Sequence, residues 1–218
     1  MSDTIVKIIA AIAGVLVAMF GYLKDRQVKS LKREVKDVEV KSLVLSKIRH
    51  ITLINIIKNK VDQLFENTKA SRFLLIMSIN GHTAMRAVSV VFNHQKPGTQ
   101  VLDAEEAYKH VETDDQYRDM LKEILIKGST LLNVEEMPKC KLKSFYDMEG
   151  VTHSLITFLG RYHIDEKDDV LIFSSMATHN VSPFFELELT EIELSYGSCI
   201  KPCLDKMFLE TNGTMSTE

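Results

Sequence analysis

The sequence predicts an α+β protein in which an N-terminal transmembrane helix and a helical, coiled-coil stalk precede an antiparallel sheet flanked by helices. Residues 8–23 form an uncharged apolar run. Residues 24–68 contain neither Gly nor Pro, and their apolar residues recur at helical spacing. From residue 72 onwards, apolar β-branched runs come in pairs separated by turn residues. The predicted parts are the transmembrane helix at 4–23, the stalk at 24–47, the α+β domain at 48–209 and a disordered tail at 210–218.

The first element is the transmembrane helix, for which crossing a hydrocarbon core of about 30 Å takes roughly 20 apolar residues. Only Lys7 interrupts the span, and its ammonium can reach the interface while Ile5 and Val6 stay in the core. A cleaved signal peptide fits less well, because the run ends Phe20-Gly21-Tyr22-Leu23 without a small-x-small site. A buried or interfacial helix would show a polar face, which this run lacks.

Basic residues follow the apolar run, and they predict its orientation. They are Lys24, Arg26, Lys29, Lys32, Arg33 and Lys36. Positively charged flanking residues stay on the cytoplasmic side, so we expect the N-terminus outside and the domain in the cytoplasm. We expect the basic cluster to lie beside anionic headgroups of the lipid bilayer. The net charge of −3 argues against a nucleic-acid partner. The odd number of cysteines fits a reducing compartment without a disulfide framework.

The stalk carries a short coiled-coil pattern. Its apolar seam consists of Val28, Leu31, Val35 and Val38. The spacing of three, four and three residues is the a/d pattern of a coiled coil, but it weakens after about two heptads. Tethering two copies to one membrane raises their effective concentration. Two alternatives therefore stay open, namely a homodimer through residues 28–45 and a solvated helical spacer.

The domain is predicted to begin with a helix that packs on the sheet. Its stripe consists of Val44, Ile48, Ile51, Ile54, Ile57, Val61 and Leu64. Strands are predicted at 72–79 and 87–93, as an antiparallel pair, at 129–134, and at 151–162 and 170–176, as a second hairpin.

Helices are predicted between and after these strands. Capping boxes at Thr113–Gln116 and Thr190–Glu193 mark two helix starts, and Lys127-Gly128 marks a helix end. A short helix is expected over 142–148, and Pro202 is expected to kink the closing helix. The simplest packing covers the sheet with the first and last helices.

This order of elements resembles the GAF domain family. The resemblance is carried by Ala70–Ile76 with the turn Asn80-Gly81, by the hairpin 151–176 and by Leu189–Leu194. It implies a ligand-sensing or dimerisation module related to PAS domains. The chain lacks the cysteine motif of bilin-binding members and shows no cyclic-nucleotide signature. We therefore expect no cofactor.

The candidate ligand-binding residues follow from the same resemblance. In a GAF-like domain, the loop after the first strand borders the pocket face of the sheet, which implicates Asn80, Gly81 and His82. The alternative is a plain turn. No metalloprotease spacing, nucleophile elbow or phosphate-binding loop occurs, and Cys199 and Cys203 fit small buried residues better than metal ligands. The sequence therefore predicts neither catalysis nor a metal site.

The predicted function is that of a single-pass, membrane-anchored, non-catalytic regulatory module that binds a small ligand or a cytoplasmic partner protein. The alternative is a structural tether that recruits partners without binding a ligand. A hydrophilic cavity would favour sensing. A sheet face filled by Phe73, Ile76, Val90 and Phe158 would favour the tether.

Overall fold

The computed structural model describes residues 47–79, 85–99, 107–163 and 169–209. The chain divides into two compact units, residues 1–51 and 52–218. The predicted transmembrane helix at 4–23, all but the last residue of the stalk, and the tail at 210–218 lie outside the described residues. Among the helices that the structure describes, none combines the length and the apolar character needed to cross a bilayer.

A six-stranded sheet forms the centre of the second unit. Its strands are β1 Arg72–Ile79, β2 Ala87–Gln95, β3 Val111–Glu112, β4 Ser129–Asn133, β5 His153–His163 and β6 Asp169–Thr178. The spatial order is β3-β2-β1-β6-β5-β4, and each neighbouring pair is antiparallel. Both predicted hairpins and the strand β4 are confirmed. The strand β3 was not predicted, because two residues carry no periodic signal.

Helices cover both faces of the sheet. They are α1, helical over residues 47–67, α2 Asp115–Lys127, α3 Lys141–Glu149, α4 Glu186–Ser195 and α5 Lys201–Leu209. A π-helical turn, Tyr196–Ile200, joins α4 to α5 directly before Pro202. Proline has no N–H to continue the α-helical ladder, so the expected kink takes the form of this widened turn.

Two predicted helix starts differ from the structure. The N-cap of α2 is Asp114 rather than Thr113, since the Asp114 carboxylate accepts a 2.8 Å bond from the Tyr117 N–H. Helix α4 begins before the predicted box, and Thr190 lies inside it with its hydroxyl donating to the Glu186 carbonyl. The capping interaction at this end comes from Glu188, whose carboxylate accepts from the Phe185 N–H at 2.6 Å.

Helices α1, α4 and α5 pack on one face of the sheet, as expected for the first and last helices, and α2 and α3 pack on the other. The buried stripe of α1 comprises Leu53, Ile57, Val61, Leu64 and Phe65. Ile48, Ile51 and Ile54 of the predicted stripe are exposed, and Leu53 takes the buried position next to Ile54.

The expected grouping of four side chains on one sheet face is wrong in one member. Ile76, Val90 and Phe158 belong to the core beneath α2 and α3, whereas Phe73 belongs to the core beneath α1 and α4. Side chains alternate along a strand, so Phe73 and Ile76, three residues apart, face opposite sides.

Candidate functional site

The predicted ligand residues Asn80, Gly81 and His82 lie outside the described residues. The structure describes the strands that lead to and from them, β1 ending at Ile79 and β2 beginning at Ala87. The proposal that these residues bind a ligand therefore remains a prediction.

A buried ion pair joins the start of β1 to the end of α3. Arg72 is 1% exposed and Glu149 is 5% exposed, and the Arg72 guanidinium meets the Glu149 carboxylate. Buried charges are tolerated only when they are paired, because each loses its hydration on folding. Glu149 also lies at the C-terminus of α3, where the helix dipole disfavours a carboxylate, so Arg72 offsets two unfavourable effects.

The end of α3 that carries Glu149 is fixed by its backbone. Gly150 follows with φ of +71°, a left-handed conformation that glycine adopts readily. The Val151 N–H then donates to the Tyr146 carbonyl at 2.9 Å, which closes the helix end. This turn holds the carboxylate of Glu149 at the guanidinium of Arg72.

Tyrosines and serines surround the ion pair on the same sheet face. The hydroxyl of Tyr146 lies 3.0 Å from the Ser154 Oγ and 2.9 Å from the Ser175 Oγ, and the two serine oxygens are 2.9 Å apart. Burial raises the pKa of Tyr146 above its ordinary value, so the phenol stays protonated. The guanidinium carbon of Arg72 lies 5.1 Å from the ring centroid of Tyr108, within the range of a cation–π contact.

A serine–histidine pair borders this cluster. The Ser71 Oγ and the His179 Nδ1 are 2.6 Å apart. Burial, followed by the charge of Arg72, lowers the pKa of His179 below its ordinary value, so the imidazole is neutral near pH 7. Nucleophilic catalysis needs a further group that orients the histidine. Within the described part of the chain the His179 Nε2 has no hydrogen-bond partner, and the Glu149 carboxylate contacts Arg72 instead.

A second histidine connects β2 to α1 on the opposite face of the sheet. The His94 Nε2 lies 2.6 Å from the Asp62 carboxylate, and the imidazole stacks on Phe65 with 5.6 Å between ring centroids. Lys58 contacts the same carboxylate from one helical turn earlier, at 2.8 Å. The hydrogen bond from Lys58, then that from His94, lowers the pKa of Asp62.

The described residues contain no group of three His, Cys, Asp or Glu side chains able to hold a metal ion. Cys140, Cys199 and Cys203 are free thiols. Burial raises the pKa of the Cys203 thiol, and the neighbouring Cys199 adds to this shift, so thiolate formation at Cys203 is disfavoured.

A cavity of about 10 Å³ lies between the sheet and the α2–α3 layer, with Ile76, Val90, Tyr108 and Phe145 among its walls. Such a volume is about the minimum for one water molecule. Recesses of about 270 and 480 Å³ are open to the outer surface.

The ion pair was not predicted, because its two members give no local signal. Arg72 begins a predicted apolar strand, and Glu149 directly follows the short helix predicted over 142–148. One clue was available, since Arg72 shares the strand face of Leu74 and Ile76, so an unpaired charge there would face the core. The identity of its partner depends on tertiary structure.

No protein family model matches the chain, and no curated protein matches it. Solved structures do match. The GAF domain of a two-component sensor histidine kinase from Bacillus halodurans is 10% identical, with a TM-score of 0.50, over 72% of this chain and 95% of that one. The GAF domain region of a putative membrane protein from Geobacter sulfurreducens PCA is 15% identical, with a TM-score of 0.48, over 72% and 96%.

A third match is the GAF domain/HD domain protein from Geobacter sulfurreducens, at 14% identity and a TM-score of 0.49, over 72% of this chain and 94% of that one. At these identities the likeness concerns the fold. The first match, together with the antiparallel sheet between two helical layers, shows that the chain contains a GAF-like domain.

Proposed function

We propose that this chain is a single-pass, membrane-anchored, non-catalytic regulatory module whose GAF-like domain binds a partner protein or a small ligand. The GAF-like fold supports a sensory role by analogy. The apolar run at 8–23 supports the anchor, and the basic residues that follow it support a cytoplasmic domain. The buried, mutually paired Arg72 and Glu149 support a structural rather than catalytic role for the charges in the core.

One observation favours a partner protein over a small ligand. The cavity that Ile76, Val90, Tyr108 and Phe145 help to line between the sheet and α2–α3 measures about 10 Å³. Sites for small molecules usually measure about 300–1,000 Å³ and enclose most of the ligand. Ligand entry into this cavity would therefore require α2 or α3 to move, whereas a partner protein can bind the surface as it stands.

Thermal unfolding of the full chain in detergent micelles, with a library of small metabolites, tests this preference. A ligand present at about 100 times its Kd stabilises the folded state by about 2.7 kcal/mol, which raises Tm by roughly 5–10 °C. We expect no compound to produce such a shift. A compound that does would assign the domain to small-ligand sensing, and the N80A/H82A variant would then test whether the predicted residues carry the binding.

Affinity purification from membranes tests the partner directly. The full chain is compared with a chain truncated after residue 47, which keeps the predicted anchor and stalk but lacks the domain. We expect proteins that are recovered in stoichiometric amounts only with the full chain. Identical protein sets from the two chains would contradict a partner-binding role for the domain.

The anchor is tested by washing membranes that contain the full chain with alkaline carbonate. We expect the full chain in the pellet and a chain that begins at residue 24 in the wash. Protease added to sealed vesicles from the cytoplasmic side should digest the domain. Recovery of the full chain in the wash would contradict the anchor, and digestion from the outer side would contradict the orientation.

The packing beneath α2 and α3 also fits a second candidate function, in which the chain is a constitutive tether. Ile76, Val90 and Phe158 pack beneath α2 and α3, as a ligand-free core would require. The two functions differ in whether partner binding changes the packing of the stalk.

A further inference from the structure

Strand β4 lies at the end of the described sheet, so one side of its backbone faces away from the other described strands. The Val134 N–H donates to the Thr152 carbonyl at 2.9 Å, and the Phe158 N–H donates to the Gly128 carbonyl at 2.8 Å. Both pairs are in register with the β4–β5 ladder. Antiparallel strands direct the backbone groups of alternate residues towards the same neighbour. The N–H and C=O groups that point away from β5 are therefore those of Ser129, Leu131 and Asn133. The Ser129 C=O among them accepts a hydrogen bond from the Thr130 hydroxyl at 2.9 Å.

This edge lacks the features that usually prevent strand addition. Natural edge strands are often shortened or carry a lysine or proline. The sequence of β4 is Ser-Thr-Leu-Leu-Asn, without charge or proline, and Leu131 is 37% exposed. The opposite edge, β3, has only two residues, and one of them is the charged Glu112. The edge at β4 is thus the better template for an added strand.

A groove of about 480 Å³ runs beside the same edge, between β4, α2 and the following turn. Its apolar residues include Met120, Leu132 and Met137. Its charged residues are all acidic, namely Asp119, Glu123 and Glu136. Within α2, Lys122 pairs with Asp119 and Lys127 pairs with Glu123. Both ion pairs are exposed, and such pairs contribute little to stability.

We propose that β4 binds an extended segment of a partner protein with alternating apolar and basic side chains, which pairs with β4 as a further strand. The proposal rests on the proposed role of the domain in partner binding and names the chemistry of that partner. Backbone bonds to Leu131 provide affinity, and the acidic groove selects basic side chains. A second copy of this chain is a poorer occupant, because its β4 is uncharged and offers no basic side chain to the acidic groove.

Fluorescence anisotropy with a labelled peptide tests the proposal on the full chain in detergent micelles. At about 3.3 Å per residue, a peptide of about seven residues spans β4. The probe alternates lysine and valine. One control peptide has the same composition with all lysines at one end, and another replaces each lysine by glutamate. We expect the alternating probe to bind at least tenfold more tightly than either control.

Matched variants separate strand pairing from charge attraction. Leu131→Pro removes an outward N–H and no bond to β5, and we expect at least tenfold weaker binding of the probe. Glu136→Lys should weaken binding about three- to tenfold. Val91→Lys, at an exposed strand residue on β2, should leave binding unchanged. Circular dichroism checks the fold of each variant, and Leu131→Lys replaces Leu131→Pro if the proline variant unfolds.

Three outcomes of the peptide-binding and light-scattering experiments would overturn the proposal. The first is that the probe does not bind the wild-type chain, and the second is that folded variants at residue 131 bind the probe as tightly as the wild-type chain does. The third is that light scattering shows a dimer that Leu131→Lys dissociates, because the edge would then serve self-association. Membrane partners that bind the wild-type chain and Leu131→Lys equally would overturn the assignment to β4 and leave the proposed function standing.

Discussion

Arg72 at the start of β1 and Glu149 at the end of α3 form an ion pair. Both residues are buried between the sheet and the helix. The two residues lie far apart in the sequence, and their contact joins α3 to β1, one of the two central strands of the sheet. The pair thus links the sheet to the helical layer on its α2–α3 side.

Removing one member of this pair should destabilise the domain strongly. Glu149→Gln leaves the Arg72 guanidinium buried without a countercharge, which costs about 3–5 kcal/mol. For a domain of this size the loss lowers Tm by roughly 6–20 °C. Differential scanning calorimetry measures the shift.

Two controls make this prediction specific. Glu135→Gln, at an exposed glutamate, should change Tm by less than about 2 °C. The double variant Arg72→Met/Glu149→Leu removes both charges and should be more stable than Glu149→Gln alone. Equal Tm values for Glu149→Gln and Glu135→Gln would mean that the ion pair does not support the fold.

The hydroxyl triangle beside the pair predicts a smaller effect. Tyr146→Phe removes one hydroxyl, but the Ser154 and Ser175 hydroxyls remain 2.9 Å apart and continue to bond each other. We expect a loss of about 0.5–1.5 kcal/mol in urea unfolding. In a double-mutant cycle with Ser175→Ala, the two losses should add to more than the loss in the double variant, because both single changes remove the same bond. If the two losses add up to the loss in the double variant, the result would contradict a hydrogen bond between Tyr146 and Ser175.

The strands and helices of the domain were predictable because each is a local pattern. The run at 72–79 is a short apolar segment that stops at Asn80-Gly81, and the hairpin across 165–169 joins two runs rich in apolar residues. Gly128 after Lys127 marked the end of α2 correctly. The start of α4 was misplaced because Thr190–Glu193 matches a capping box, while the structure uses Glu188 to cap Phe185, a residue type with no capping side chain.

The polar cluster could not be predicted in the same way. The contact of Arg72 with Glu149 depends on α3 lying across β1, and no spacing in the sequence encodes that placement. Likewise, the groove beside β4 arises from the side of α2 that carries Met120 and Glu123, which looks like an ordinary solvated helix face. Local patterns therefore predicted the elements, and the tertiary packing produced the candidate sites.

The Asp62–His94 contact predicts a pH dependence at low pH. The pKa of Asp62 is lowered in the folded domain, first by Lys58 and then by His94. A carboxyl group with a lowered pKa stabilises the fold above its unfolded pKa, and this contribution is lost as the pH falls through the folded pKa. Stability should therefore decline below about pH 4.

Asp62→Asn tests this dependence. Because Asp62 is substantially exposed, solvent screens the interaction, and we expect the variant to lose less than about 1 kcal/mol at pH 7. Its urea midpoint should depend less on pH between about 2 and 4 than that of the wild-type chain. Parallel pH profiles for the two proteins would argue against the contact.

Two glycines provide a matched pair for backbone conformation. Gly150→Ala places a Cβ at φ of +71° and should cost about 1–2 kcal/mol. Gly197 lies in the π-helical turn, where an added Cβ would meet no atom within 4 Å other than those of the local helix backbone and the two neighbouring residues. Gly197→Ala should therefore stabilise the domain, by about 0.5–1 kcal/mol. Opposite shifts in Tm are expected, and a loss for Gly197→Ala would show that the turn needs glycine.

The proposed stalk predicts a specific pattern of disulfide cross-linking in membranes. Val35→Cys lies in the predicted seam, and Arg33→Cys lies two positions away on the opposite side of the helix. If two stalks associate through residues 28–45, mild oxidation should cross-link Val35→Cys much faster than Arg33→Cys. The chain without either substitution measures the cross-linking that the native cysteines cause. Similar rates would favour the solvated spacer. A change in the Val35→Cys rate on partner binding would favour the regulatory module, and an unchanged rate would favour the tether.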